Sequence, residues 1–169
     1  MFTMVTERVG DVVQTFLTSV NFEETAKDLD NKRLNKQLLE GRQILSTLTG
    51  RSDGWQNHPA VKMWAGSEWI LFEYLHTIRE ECKARGIKTD TNWEVILRTI
   101  RNSAVGVGYP TWMLNDDIMH RITATHRGNL YRKDPVFYEK FAEFADYKSL
   151  TCCPRCNYYW PVASHGYKE

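Results

Sequence analysis

The sequence predicts an all-α fold, and three observations carry that expectation. Long segments place apolar residues at helical spacing, helix-capping residues stand at their starts, and no run alternates apolar with polar residues as a strand would. The 169 residues are 42% hydrophobic and include six Trp, eight Tyr and seven Phe, enough for one domain with a packed core and unlike a disordered chain.

Taken in order, Asn21 can cap the first helix with Glu24 as its capping-box partner. That helix, or a pair of helices with a shallow break, runs to about Leu48, and residues 49–54 form a loop by composition. Residues 58–86 read as a second long helix with a stripe of Trp64, Leu71, Leu75, Ile78 and Cys82, ended by Gly86. Cys82 lies within the stripe and is expected as a buried small hydrophobe. A shorter helix covers residues 91–102, followed by a loop over 103–110. Asn115, Asp116 and Asp117 open another helix that turns basic toward its end, as the helix dipole favours. Asp134-Pro135 reads as an N-cap with Pro at the first helical position, opening a last helix through Tyr147. No repeat, low-complexity tract or linker marks a boundary before about residue 150.

No apolar run approaches the roughly 18–20 residues that cross a bilayer, and the N-terminus lacks the basic region and apolar run of a secretory signal. Four Cys, three of them clustered, fit a reducing compartment, so the expected location is the cytoplasm, with no membrane association. Net charge is only +1, so any nucleic-acid binding must come from local clustering. One cluster stands out. Residues 120–133 hold His120, Arg121, His126, Arg127, Arg132 and Lys133 without one acid, a solvated helix end on one reading and a phosphate-binding face on the other.

The stretch from Leu29 to Leu45 raises the sharpest question. Wound at about 100° per residue, it puts Arg33, Lys36, Gln37 and Glu40 on the face that also carries Phe22, Ala26, Leu29 and Ile44. In one reading a second stripe of Leu34, Leu38, Leu45 and Leu48 faces the core, and the polar four are surface residues with a Lys36–Glu40 pair. In the other, the helix lines a cleft where cations meet phosphate and a carboxylate moves charge. Trp55, His58 and Trp64 add aromatic faces and a titratable ring, either core lids or platforms for unpaired bases. Cys153-x-x-Cys156, with Cys152 adjacent and His165 nine residues on, has half of a zinc-site spacing. Reduced packed thiols, a structural zinc and redox chemistry all remain open there.

The segments "QTFL", "LDNKRLNKQ", "GWQNHPAVKMW", "HRGNLYRKDPVFYEKF" and "YWPV" together resemble the bacterial and phage branch of the pyrimidine dimer DNA glycosylases, the endonuclease V type, from about Gln14 to Val162. A more distant phage enzyme of the family has the same layout, matched here by "ECKARG" and "DPVFYEKF". The resemblance implies a compact single-domain helical fold over residues 14–150, an N-terminal extension over 1–13 and a Cys-rich tail over 151–169 packed on the domain. It implies a monomer acting on double-stranded DNA with a pyrimidine lesion or modification, and no required metal or organic cofactor. The implied chemistry is attack of an amine on deoxyribose C1′, expulsion of the base, and an imine that can eliminate the 3′ phosphate. It further implies DNA contacts by Gln14, Thr15, Lys32, Trp55, Trp64, His120, Arg121, His126, Arg127, Arg132 and Lys133.

Two departures bear on catalysis. The family's start falls near Gln14, so an α-amine on Met1 is about a dozen residues displaced from the family's nucleophile. Aligning Arg33 with the family's helix arginine puts Leu34 where the distant enzyme has its carboxylate. Lys36 is then the replacement amine, with Glu40 or Asp30 the replacement carboxylate and Arg33, Gln37 and His58 beside them. Two rivals stand against this reading. One is a DNA-binding protein of the same fold without catalysis, the other a different type of nucleobase-processing enzyme.

Overall fold

A computed structural model describes residues 13–163 and shows six α-helices, with no strand among the described residues. They are α1 (Phe22–Asp28), α2 (Asn31–Leu48), α3 (Pro59–Lys62), α4 (Glu68–Ala84), α5 (Asp90–Arg101) and α6 (Asp116–Lys133), joined by short 3₁₀ helices at Thr111–Leu114, Glu139–Phe144 and Lys148–Leu150. The all-α expectation holds.

Local chemistry explains most boundaries. The Asn21 side chain accepts the N–H groups of Glu23 and Glu24 at 2.9 and 3.1 Å and starts α1. Glu24 does not return the capping-box bond; its carboxylate accepts the Ser19 hydroxyl instead. The shallow break between α1 and α2 falls at Leu29, whose backbone is extended, and Asp30 caps α2 by accepting the Arg33 N–H at 3.0 Å.

Two expectations are corrected. The segment 58–86 is not one helix, because Gly66 takes a left-handed φ of 80° and parts α3 from α4. Amides of Gly66 and Gly106 then converge on the Glu68 carboxylate at 3.2 and 2.9 Å, which ties the break to the 103–110 loop. The segment after Pro135 is not an α-helix either. Asp134 accepts the Phe137 N–H at 3.0 Å in a turn that leads into the Glu139–Phe144 3₁₀ helix. Tyr138, Phe141 and Phe144 are spaced by three, the 3₁₀ period, and so share a face, where the Arg127 guanidinium lies over the Phe141 and Phe144 rings.

α2 and α4 pack most closely, with Gly41 of α2 leaving no room for a Cβ against Leu75. Both stripes of α2 are used: Leu34, Leu38, Ile44 and Leu45 are all fully buried. The α4 stripe, Leu71, Leu75, Ile78 and Cys82, is buried too, together with Trp64 before it.

The remaining core element has no regular structure. Residues 13–18 are all buried and run through the interior between α2, α4 and α6. Buried backbone needs hydrogen-bond partners, and side chains supply them here. Gln37 Oε1 accepts the Phe16 N–H at 2.9 Å, His126 Nδ1 accepts the Leu17 N–H at 2.8 Å, and the Tyr74 hydroxyl donates to the Phe16 carbonyl at 2.8 Å. Arg127 Nε donates to the Thr18 carbonyl at 2.7 Å.

Candidate active site

Where residues 14–16 pass α2, a cleft of about 140 Å³ opens between the segment, the helix and the chain's last described stretch. Its walls are Gln14, Phe16, Gln37, Glu40 and Tyr158, and its cations are Lys32, Arg33, Lys36 and Lys133. The polar insert on α2 therefore divides by depth. Gln37 and Glu40 are 1% and 5% exposed, Arg33 is half-buried, and Lys32 and Lys36 stand at the mouth.

Glu40 is the buried carboxylate of the cleft. One oxygen lies 3.5 Å from Lys36 Nζ, the other accepts from Gln37 Nε2 at 3.3 Å, and the backbone N–H of Gln14 also hydrogen-bonds the carboxylate. Burial raises its pKa above the ordinary carboxylate value, and the opposing pull of Lys36, the Gln14 amide and Lys133 does not cancel that. Asp30 behaves oppositely. Burial pushes it up as well, but hydrogen bonds from the Tyr138 hydroxyl and from Arg33 outweigh burial and hold it below its ordinary value. Arg33 is engaged with Asp30 at 2.7 Å and lies over the Tyr138 ring at 5.7 Å, which fixes its guanidinium at the rim.

Gln37 is a backbone anchor. Its carbonyl oxygen accepts from both the Phe16 N–H and the Tyr74 hydroxyl, while its amide nitrogen orients Glu40. His58 does not line this cleft. Its Nδ1 caps α3 by accepting the Ala60 N–H at 3.0 Å, and its ring packs edge-on against Trp55 and Trp160, the latter packed in turn on Tyr158.

Several expected DNA contacts are corrected by burial. Thr15, Trp64 and His126 are fully buried, and the Trp64 indole donates to the Thr15 hydroxyl at 3.0 Å, so neither presents a surface to a duplex. His126 is the acceptor for Leu17 described above. Arg127 spends its guanidinium on the Thr18 carbonyl and two Phe rings. Lys133 alone of the 120–133 cluster lines the cleft, with its Nζ 5.7 Å from the Phe16 ring centre. Arg121 pairs with Asp117 and reaches the Tyr159 ring, Arg132 bonds Asn129, and His120 is exposed. Trp55 is 40% exposed on a left-handed backbone, beside Arg42 and Arg51 and away from the cleft.

Phe16 and Tyr158 are walls that sequence reasoning did not single out. Phe16 lies in the "QTFL" fragment of the family pattern, while Tyr158 stands one residue before its "YWPV" fragment. Cys153 and Cys156 face each other at 2.9 Å across a tight turn, and the Cys152 thiol points at the Tyr158 carbonyl. Among the described residues no group of three or more His, Cys, Asp or Glu is arranged to hold a metal ion. His165 and Met1 lie outside the described residues.

The two buried imidazoles make the fold acid-sensitive. Burial lowers His58 from 6.5 to about 4 and His126 from 6.5 to about 3. Between pH 6.5 and 5 the unfolded chain takes up protons on both while the folded chain does not, so stability falls with pH. Two such groups set a limiting slope of about 2.7 kcal/mol per pH unit. Denaturant melts from pH 7 to pH 5 measure it. In a His126→Asn variant, whose side-chain carbonyl can still accept the Leu17 amide, the slope should fall by about one proton.

Residues 13–95 match the family profile described as pyrimidine dimer DNA glycosylase. Over that span, just under half of the chain, the sequence is similar to this family. The match begins at the buried 13–18 segment and contains the whole α2 wall of the cleft, Lys32 through Glu40, along with His58. The family is one of DNA glycosylases, so DNA is the substrate it implies. Comparison with curated proteins and with solved structures returns no match. No helix among the described residues is long and apolar enough to cross a membrane.

Proposed function

We propose that the protein excises a damaged or modified pyrimidine from duplex DNA through an amine nucleophile in the Glu40 cleft. The observation that carries this reading is Glu40 itself, a buried carboxylate of raised pKa, bonded at once to a lysine and to the backbone amide of residue 14 at the floor of a cationic cleft. Such a group takes a proton at higher pH than an ordinary carboxylate, which suits it to general acid–base work.

In the proposed reaction the amine lone pair forms a bond to C1′ and the glycosidic C1′–N bond breaks. The base departs with the bonding pair and takes up a proton, and the amine's proton passes to Glu40. Opening of the sugar at O4′ leaves an imine, and loss of the proton on C2′ expels the 3′ phosphate. Water then hydrolyses the imine. Lys32, Arg33 and Lys133 are the proposed phosphate contacts at the mouth, with Trp55, His120, Arg121 and Arg132 farther out. Asp30, held ionised by Tyr138 and Arg33, serves as the clamp on Arg33 instead of the proton carrier.

The rival reading, a DNA-binding protein of this fold without catalysis, is favoured by one observation. Leu34, at the position of the distant enzyme's carboxylate, is fully buried in the core. Borohydride treatment of the protein with duplex DNA containing an abasic site separates the two, because only an imine is reduced to a stable covalent adduct. An adduct is expected; salt-sensitive binding without one leaves the rival standing.

A further inference from the structure

The three clustered thiols differ in access. Cys156 is fully buried, whereas Cys152 and Cys153 are half-buried and line an open surface hollow with Lys148, Thr151 and Pro154. The Cys156 N–H donates to the Cys153 carbonyl at 3.1 Å, which closes Cys153-x-x-Cys156 into a tight turn and brings the two sulfurs to 2.9 Å. A disulfide bond is about 2.0 Å long, so this pair needs to close by only about 0.9 Å. The Cys152 sulfur is turned to another partner, 3.5 Å from the Tyr158 carbonyl. Cys82, the fourth thiol, is fully buried in the α4 stripe.

Thiol–disulfide exchange needs an accessible sulfur to attack and a second one within reach to resolve the mixed disulfide. Cys153 meets the first need at the hollow and Cys156 the second beneath it. Burial, together with hydrogen bonds among the three sulfurs, pushes the Cys156 thiol well above its ordinary pKa. Cys156 therefore stays protonated and unreactive toward solvent until a mixed disulfide stands beside it. Among the described residues the hollow is lined by one cation, Lys148, and by no carboxylate, which suits an anionic partner.

We propose that Cys153 and Cys156 form a thiol–disulfide exchange site for small anionic disulfides such as oxidised glutathione, with Cys153 attacking and Cys156 resolving. The Cys153 thiol gives up its proton and its sulfur bonds to one sulfur of the small disulfide. The old S–S bond breaks, and the departing thiolate takes up a proton. The Cys156 sulfur, losing its own proton, then attacks the Cys153 sulfur and expels the second small thiol. Two protein thiols are oxidised to one disulfide, and one small disulfide is reduced to two thiols. The bond pins the turn from which residues 157–160 depart, the stretch whose Tyr158 walls the cleft. This chemistry is independent of what the cleft does.

The test uses the full reduced chain in excess oxidised glutathione, without air, at about pH 8, where an exposed thiol is partly ionised. Two of the four thiols should disappear with a mass loss of about 2 Da, and peptide mapping should link Cys153 to Cys156. Excess dithiothreitol should restore all four. Cys156→Ser should stop at the mixed disulfide, with one glutathione on Cys153 and a mass gain of about 305 Da. Cys153→Ser should react at least tenfold more slowly, and Cys152→Ser should oxidise as the wild type does. The wild-type mapping decides the matter even if a serine variant does not fold. Four thiols that stay free, a bond to Cys152, or glutathione that remains on wild-type Cys153 would each overturn the assignment. So would zinc bound to protein purified without chelator and shielding the thiols until it is stripped.

Discussion

Glu40→Gln should lower the rate of base excision by about 10²- to 10⁴-fold, the range of a lost general acid–base group. The substitution is nearly isosteric and keeps an oxygen to accept the Gln14 amide, so the fold around residues 13–18 should survive and the thermal midpoint should change little. What disappears is the proton acceptor. The pH profile distinguishes this from a packing defect. As a base, Glu40 works when ionised, so the rate is present above its folded pKa and is lost as pH falls through it. Burial raises that pKa, which brings the acidic limb closer to neutrality than an ordinary glutamate would. In Glu40→Gln the limb should vanish from the residual activity. A fall of less than about fivefold, with the limb retained, would transfer the role to another group.

The second large effect concerns the amine. In the chain as given, Lys36→Ala should abolish the borohydride adduct, since Lys36 Nζ lines the cleft 3.5 Å from Glu40. A chain begun at Val13 should behave differently. Val13 is fully buried and the next residue's amide is bonded to Glu40, so an α-amine at position 13 would stand one residue from that carboxylate. An ordinary α-amine, with pKa about 8, is unprotonated near neutral pH roughly a hundred times more often than an ordinary lysine amine. The shorter chain should therefore form adduct up to about 100-fold faster than the chain begun at Met1, and Lys36→Ala should only weaken its DNA binding. Peptide mapping of the reduced adduct identifies the linked residue in each case. Full trapping by Lys36→Ala in the long chain would exclude the lysine.

These predictions rest on a division between what local pattern encodes and what it does not. Helical periodicity and capping residues were enough to identify α2, α5 and α6 and, within a predicted 58–86 helix that Gly66 breaks, to mark Leu71, Leu75, Ile78 and Cys82 of α4 as core, because burial on a helix face repeats with the helix itself. The family's segments were legible as well, including the α2 residues that now line the cleft. Burial and long-range partners were not. The two readings of the α2 stripe proved compatible once residues 13–18 were seen to run beside it. Gln37 lies on an apolar face because it bonds the backbone of Phe16, 21 residues away, and His126, read as part of a basic surface, is buried because it bonds the backbone of Leu17, 109 residues away. A segment without regular structure leaves no periodic trace, and its buried peptide groups must find partners wherever the fold brings side chains within reach. The sequence by itself therefore determined most of the helices, the family resemblance and the residues available for chemistry. The tertiary structure decided which of them are buried, and so which carboxylate is raised and which histidines stay neutral.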